Sequence, residues 1–397
     1  MTRTVLHIDL DAFFCAVEEG RNPALRGQAF AVGGRPDARG VVASCSYPAR
    51  SFGVHSAMPM SQAVRICPGL IIVPGDHKAY GAASHEVMKR LSQVTPLIEQ
   101  ISIDEAFMDV TPQPGAALAT RLQTQINEEL HLPCSLGVAT NKLVAKIANT
   151  VGKARAAKGA PPNAIMVVPP GEEASFLAPL PIEELWGVGP KTAARLHSMN
   201  IDTIGDLARW SEADLATLFG KHGADLAREA RGIDTRPVEP EHDAKSVSRE
   251  TTFTRDVTDR EVLARTIRQL AEGVGWRVRK AGLRGNTIKV KVRWSSFTTL
   301  TRQQTLPQPT DDDAEIERVA QELFRSVWTP GQAVRLLGVG VSGFDDADQQ
   351  LGLWQEDTAS DEQHRASQRR LQSALDDLRD RFGEHIIQRG SDLKRKR

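Results

Sequence analysis

The 397-residue chain is poor in cysteine, with only Cys15, Cys45, Cys67 and Cys134, and no two of them form a CxxC pair. This scatter argues against a disulfide framework and against a cysteine-ligated zinc site. We therefore expect free thiols in a reducing cytoplasm.

Long apolar segments are also missing. No run approaches the ~18 apolar residues of a membrane-spanning helix. The opening MTRTVLHIDL lacks the successive charged, apolar and small-residue regions of a secretory signal. We expect a cytoplasmic protein without a membrane partner.

The chain carries no net charge, because 50 Lys and Arg balance 50 Asp and Glu, and this balance alone argues against a nucleic-acid partner. The local distribution reverses that inference. Residues 245–305 contain 14 basic and 5 acidic side chains, whereas residues 306–397 contain 13 and 18. A basic segment attracts polyanions, although such a run is as often a solvated face as a binding surface.

Two acidic segments stand in apolar surroundings, HIDLDAFF at residues 7–14 and SIDEAFMD at residues 102–109. Residues 4–10 alternate as a strand does, and residues 101–104 repeat the pattern. If these strands are neighbours, Asp9 and Asp104 project from one face of a sheet and Glu105 lies at the strand end. We expect helices on one side of this sheet, at residues 79–94 and 117–130.

The remaining patterns predict further units. Residues 134–140 read as a strand, and residues 141–153 read as the helix after it. Residues 181–208 read as helix, tight turn, helix and a second short helix. A helix at 261–281 with strands at 287–294 and 333–344 predicts a small α+β domain.

Three converging carboxylates form a hard, oxygen-rich site that suits magnesium better than zinc. Two such ions, ~3.5–4 Å apart in two-metal sites, support in-line phosphoryl displacement. The alternative is structural: Asp104 and Glu105 cap a strand and accept hydrogen bonds from local amides.

SYPARSFGV places Tyr47 and Arg50 three residues apart, and a guanidinium with a phenol can bind phosphate oxygens. Lys153 is a further candidate for phosphate. An isolated surface arginine, however, usually binds water.

In LWGVGPKTAARL, Gly187 and Gly189 allow a tight hairpin, and Pro190 suits a first helical turn. The free amides at such a helix start bind phosphate without reading bases, which is the helix-hairpin-helix pattern. QQLGLW, residues 349–354, is either a docking peptide or a tail that folds back on its own protein.

Taken together, HIDLDAFFCAVEE, SYPARSFGVHSAMP, SIDEAFMD, GVATNKLVAKIA and WGVGPKTAARL resemble the Y-family DNA polymerases, most closely their bacterial DNA polymerase IV branch. The likeness runs from about residue 4 to 344. It implies an α+β multidomain fold of the right-hand type with a helix-hairpin-helix thumb and an α+β little finger. The implied domains are palm 1–10 and 75–165, fingers 11–74, thumb 166–235, linker 236–242, little finger 243–344, and a tail 345–397 with a clamp-binding motif.

The resemblance also implies roles for individual residues. Asp9 and Asp104 would bridge two metal ions, and Glu105 with the backbone carbonyl of Leu10 would complete the site, so these three acids are the catalytic residues. Phe14 would be the steric gate against ribose, with Phe13 the neighbouring ring. The other implied contacts are Tyr47, Arg50 and Lys153 for the triphosphate; Gly187, Gly189 and Lys191 for DNA; and Gln350, Leu351, Leu353 and Trp354 for a sliding clamp.

Two departures from the family pattern stand out. Ser46 replaces the usual Asn before Tyr47, and the short turn expected after Lys153 becomes the longer KARAAKGAPPNAIMVV. The second departure leaves open whether Lys153 or Lys158 contacts phosphate.

The implied function is error-prone, template-directed DNA synthesis past lesions with two Mg²⁺ ions, or Mn²⁺, and no proofreading exonuclease. The partners would be primer–template DNA, deoxynucleoside triphosphates and a sliding clamp, and we expect a monomer. Two rival functions are a nucleotidyl cyclase and a non-catalytic DNA-binding scaffold. The helix-hairpin-helix and basic module argue against the first, and the three intact acids argue against the second.

Overall fold

The protein is described from a computed structural model that covers residues 2–156, 159–241, 243–344 and 359–383, with side chains in the last range given for 370–372 and 374–383. The chain folds into two compact units, Met1–His242 and Asp243–Arg397. Among these residues, no helix has both the length and the apolar character needed to cross a membrane.

The first unit contains strands and helices in alternation. Its strands are β1 Val5–Leu10, β2 Phe30–Gly33, β3 Val42–Cys45, β4 Ile71–Val73, β5 Ile98–Gln100, β6 Glu105–Asp109, β7 Cys134–Ala139 and β8 Ile165–Val167. Its helices are α1 Phe13–Arg21, α2 Tyr47–Ser51, α3 Met60–Ile66, α4 His77–Ser92, α5 Gly115–Leu130, α6 Lys142–Arg155, α7 Glu173–Leu177, α8 Pro190–His197, α9 Ile204–Ala208, α10 Glu212–Phe219 and α11 Lys221–Glu229. Short 3₁₀ turns lie at Pro23–Leu25, Pro36–Ala38 and Ile182–Glu184.

A five-stranded sheet in the order β5-β6-β1-β7-β8 forms the centre of this unit. β1 pairs antiparallel with β6, which confirms that the segment around Asp104 lies beside β1. On its other side β1 pairs antiparallel with β7, a neighbour that was not predicted. Alternation along β1 buries Leu6, Ile8 and Leu10 in a core that α4 and α5 help to form, as predicted.

The prediction of a strand over residues 101–104 is wrong. β5 ends at Gln100 and β6 begins at Glu105, so the residues between them form the connecting turn. The Ser102 hydroxyl accepts hydrogen bonds from the amides of Asp104 (3.2 Å) and Glu105 (3.0 Å). These bonds replace the strand ladder and hold Asp104 immediately before β6.

The prediction of helices on one side of the sheet is also wrong. α6 packs against β1 and β7 on the face that carries Val5, Phe107 and Ala139, opposite to the face of Leu6 and Ile8. The contact is close: a Cβ on Gly137 would lie 1.9 Å from the backbone oxygen of Ala145. The strands between these helical layers are consequently buried on both faces.

Two further parts complete the first unit. A small sheet in the order β3-β2-β4 has its own core, which includes Ala31, Val42 and Met60. Residues 182–208 form a 3₁₀ turn, then α8, then α9, close to the predicted helix, turn, helix and short helix.

The second unit is a four-stranded sheet in the order β11-β10-β12-β9 with helices beside it. Its elements are β9 Ser246–Val257, α12 Arg260–Lys280, β10 Gly285–Trp294, β11 Thr299–Thr310, α13 Asp313–Arg325, β12 Val334–Ser342 and α14 Ala359–Phe382. Side chains along β10 alternate: Ile288, Val290 and Val292 are buried, whereas the basic side chains between them are partly exposed. The predicted small α+β domain is confirmed.

The C-terminal part of the described chain contains the helix α14. It contacts α12 through ion pairs, of which Arg279 with Asp376 at 2.7 Å and Lys280 with Asp380 at 3.0 Å are two. Its docking therefore depends on charge, and Leu371 and Phe382 stay largely exposed.

Candidate active site

A cleft of about 460 Å³ opens at the end of β1. Side chains from β1, from the start of α1, from the β3–α2 segment and from α6 meet there. The cleft is lined by Asp9, Leu10, Ala12, Phe13, Phe14, Ala43, Ser44, Tyr47, Arg50, Ser56, Asp104, Lys153, Ala154 and Pro162.

The strand register brings the three predicted acids to one end of the sheet. Asp9 lies opposite Glu105 in the β1–β6 pair. The amide of Leu10 donates to the backbone oxygen of Asp104 at 3.0 Å, which fixes the turn beside β1. Asp9 and Asp104 line the cleft, but among the described lining residues Glu105 is absent.

Two lysines of α6 form ion pairs with Asp9, Asp11 and Glu105. Lys153 donates to Asp9 and, at 2.9 Å, to the buried Asp11. Burial alone would lower the pKa of Lys153, but the carboxylates of Asp9 and Asp11 outweigh burial and raise that pKa. Lys153 is therefore charged at neutral pH.

The Lys146 ammonium donates to both carboxylate oxygens of Glu105, at 3.0 and 2.9 Å. Burial raises the pKa of Asp9, Lys153 acts in the opposite direction, and the nearby Glu105 adds to the increase. In the parts of the chain that the structure describes, no group of three or more His, Cys, Asp or Glu side chains is arranged to hold a metal ion. The donors are nevertheless suited to one: hard carboxylate oxygens at one sheet end, now balanced by the ammonium groups of two lysines.

Buried polar groups support β1 from behind. The Asn149 side chain on α6 donates to the Ser135 backbone oxygen at 2.9 Å and to Nδ1 of His7 at 3.0 Å. Burial lowers the pKa of His7 well below its usual value, and Lys146 and Lys153 add to this effect, so the ring is neutral. These bonds join α6 to the two strands next to the acids.

The two phenylalanines of the motif have different environments. Phe13 is buried in the core, whereas Phe14 is half-buried and lines the cleft. The Phe14 ring stacks on Tyr80, with centroids 4.2 Å apart and planes 13° from parallel. Tyr80 donates to Glu18 at 2.7 Å, and burial raises the pKa of Tyr80 to about 12. The Tyr80 ring on which Phe14 stacks is therefore neutral and is held in place by its hydrogen bond to Glu18.

Tyr47 and Arg50 lie on the short helix α2, whose first turn is capped by the Ser46 hydroxyl accepting from Ala49 at 3.3 Å. The Arg50 guanidinium lies 4.8 Å from the centroid of the Tyr47 ring. Both side chains line the same cleft as Asp9 and Lys153. Ser46 is buried, and its hydroxyl also donates to the backbone oxygen of Gln28 at 2.9 Å.

The hairpin before α8 needs glycine at one position: Gly187 has φ +99°, which a side chain disfavours. Gly189 then caps α8, and Pro190 occupies its first turn. Lys191 is exposed beside the helix start. The free amides there are suited to a phosphate.

Some predicted residues lie outside the described residues. They are Lys158 and the clamp-binding Gln350, Leu351, Leu353 and Trp354. Of the two lysines considered for phosphate, Lys153 lines the cleft.

Sequence reasoning missed Lys146 and Asp11 as parts of the site. A signal for Lys146 did exist: Lys142, Lys146, Asn149 and Lys153 follow a spacing that puts them on one face of a helix. Each member contacts a polar group of the neighbouring strands.

Sequence profiles of one family match most of this chain. The impB/mucB/samB family matches residues 8–150, its C-terminal domain matches residues 244–353, and the helix-hairpin-helix motif of the same family matches residues 170–201.

Close relatives extend over nearly the whole chain. A DNA polymerase IV from Desulfatibacillum aliphaticivorans is 41% identical over 97% of this chain and 95% of its own length. One from Dehalococcoides mccartyi is 40% identical over 98% and 97%. One from Listeria monocytogenes is 41% identical over 86% and 95%.

Solved structures of the same kind are similar in fold. A Y-family DNA polymerase chimera of Dbh and Dpo4 matches with a TM-score of 0.76 and 28% identity, covering 86% of this chain and 99% of the other. An insertion ternary complex of Dbh DNA polymerase matches with a TM-score of 0.60 and 29% identity, covering 86% and 99%.

The chain belongs to the Y-family DNA polymerases. It is a DNA-directed DNA polymerase of the translesion class with the right-hand fold of palm, fingers, thumb and little finger, and its similarity is to the relatives called DNA polymerase IV. Error-prone synthesis, a two-metal mechanism and the lack of a proofreading exonuclease are general features of this family, which also implies dependence on divalent metal. The cyclase and scaffold alternatives are thereby set aside.

Proposed function

We propose that Asp9, Asp104 and Glu105, with the carbonyl of Leu10, hold two Mg²⁺ ions for primer extension, with Mn²⁺ as a substitute. The supporting observation is that the strand register brings Asp9 opposite Glu105, with Asp104 in the adjoining turn. When bound, the ions supply positive charge that favours ionisation of the primer 3′-OH and stabilises the leaving pyrophosphate.

The chain's own residues then orient the triphosphate. Lys153 is charged, partly buried and paired with Asp9 and Asp11, from which it can turn to phosphate oxygens. Arg50 supplies a guanidinium for bidentate contacts, and Tyr47 supplies a neutral hydrogen bond. Burial and the negative charge of Asp11 raise the pKa of Tyr47, which keeps its phenol protonated as a donor.

Phe14 serves as the steric gate. Its ring is packed on Tyr80 and cannot retreat without losing that stacking. A ribose 2′-OH would need the volume that the ring occupies, so deoxynucleotides are selected.

The remaining contacts concern DNA and its associated proteins. Gly187, Gly189 and Lys191 bind a backbone phosphate at the start of α8, without reading the sequence. QQLGLW binds a sliding clamp through Gln350, Leu351, Leu353 and Trp354. The enzyme works as a monomer in the cytoplasm on primed template DNA.

Primer extension with purified variants tests the acids. We expect Asp104→Ala and Glu105→Ala to abolish nucleotide incorporation, while binding of primer–template DNA stays within a few-fold of wild type. Lys89→Gln, an exposed lysine on α4, serves as the control and should extend primers normally. Retained extension by either acid variant would contradict the assignment.

A further inference from the structure

The Glu105 carboxylate, a proposed metal ligand, forms an ion pair with Lys146. The Lys146 ammonium bonds to both of its carboxylate oxygens, at 3.0 and 2.9 Å. Both oxygens are therefore engaged by a cation before any metal arrives. This agrees with the absence of Glu105 from the described residues that line the cleft.

The position of Lys146 is fixed by its surroundings. Its ammonium lies 5.6 Å from the centroid of the Trp186 ring, so the lysine lies between a carboxylate and an aromatic face. Its helix cannot easily shift, because Gly137 lets α6 approach β7 so closely that a Cβ would clash at 1.9 Å. Asn149, one turn further along α6, is tied to β1 and β7.

We propose that Lys146 is a positioning residue that holds Glu105 in the metal-free enzyme and competes with the divalent ion for this carboxylate. The proposal rests on the proposed metal-binding role of Glu105. When Glu105 takes up a metal ion, the ammonium loses its carboxylate partner but keeps the aromatic face of Trp186. Lys146 thereby lowers the affinity for metal and prevents the clustered acids from repelling one another without it.

The test is a direct titration of Mn²⁺, followed by the electron paramagnetic resonance of the free ion. The full-length protein is used with primer–template DNA whose primer ends in a dideoxynucleotide, so that no reaction takes place. We expect Lys146→Gln to bind Mn²⁺ about tenfold more tightly, the size expected for removing a unit charge near a divalent ion at a water-like dielectric. Lys146→Arg keeps the charge and should bind like wild type.

Two other variants separate the possible failures. Lys89→Gln removes an exposed positive charge on α4 and should leave Mn²⁺ affinity unchanged. Glu105→Gln should weaken it. If Glu105→Gln weakens binding but Lys146→Gln binds no more tightly than wild type, competition by Lys146 is wrong and the metal role of Glu105 stands.

If Glu105→Gln has wild-type affinity instead, the metal role of Glu105 falls, and the proposed competition falls with it. Thermal melting checks that each variant is folded. If Lys146→Gln does not fold, Lys146→Met replaces it, because Met keeps the aliphatic stem beside Trp186. Lys146→Met should show the same increase in Mn²⁺ affinity.

Discussion

The ion pair between Lys142 and Glu99 joins α6 to β5, the strand that leads into the turn with Asp104. The Lys142 ammonium lies 2.7 Å from the Glu99 carboxylate, and each side chain is only 7% exposed. Glu99 also accepts from the amide of Glu239 at 3.0 Å. Replacing Lys142 by Met therefore leaves a buried carboxylate with less compensation.

Breaking a buried pair on one side costs roughly 3–5 kcal/mol. We expect the lower end, about 3 kcal/mol, because the Glu239 amide remains and Arg236 adds positive charge near Glu99. That energy corresponds to a roughly 100-fold larger equilibrium constant for local opening, which accelerates hydrogen exchange through that opening by the same factor. The double variant Lys142→Met/Glu99→Gln should lose much less stability against local opening than the sum of the losses in the two single variants.

Hydrogen exchange read by mass spectrometry measures this opening in peptides that cover residues 98–109 and 142–155. Lys89→Gln is the control and should exchange like wild type. Exchange in Lys142→Met that is accelerated less than about threefold would refute the reasoning that the pair is a buried, structural interaction.

Three further predictions follow from the geometry. Phe14→Ala should admit ribonucleotides in single-nucleotide incorporation assays, and unchanged sugar discrimination would place the gate elsewhere. Glu183 and then Asp202 raise the pKa of His197 above 6.5. His197 therefore stabilises the fold fully below about pH 6.5 and loses this contribution as the pH rises through the raised pKa. The melting temperature of His197→Gln should be lower than that of wild type at about pH 6, and the difference should vanish at alkaline pH. Gly137→Ala should destabilise the protein by at least about 2 kcal/mol in chemical denaturation, because the new Cβ meets the backbone of α6.

Local patterns predicted several elements of both units. Alternation found β1 and β10, and the three- and four-residue spacing of apolar side chains found α4, α5 and α12 within two residues at each end. These elements are long and have one apolar face, so burial determines them directly.

The turn at residues 101–104 was missed because its conformation depends on one hydroxyl. Ile101 and Ile103 alternate with polar neighbours as in a strand, but the hydrogen bonds of Ser102 to two following amides favour the turn. The covering of the second sheet face by α6 was missed for another reason: it follows from the close approach at Gly137, which no periodicity encodes.

The acids of the site could be named from sequence motifs, whereas their partners could not. The Lys146–Glu105 contact joins residues 41 positions apart and depends on the packing of α6 against β1 and β7. Tertiary packing decides which lysine reaches which carboxylate, and the sequence contains several equally plausible lysines on the same helix.

Anomalous X-ray diffraction from crystals of the protein with primer–template DNA, an incoming deoxynucleotide and Mn²⁺ measures where divalent ions bind. We predict two peaks within coordination distance of the carboxylate oxygens of Asp9 and Asp104, one of them also contacting Glu105. Peaks that lie away from these oxygens, in crystals with DNA and nucleotide bound, would contradict the catalytic role given to the three acids.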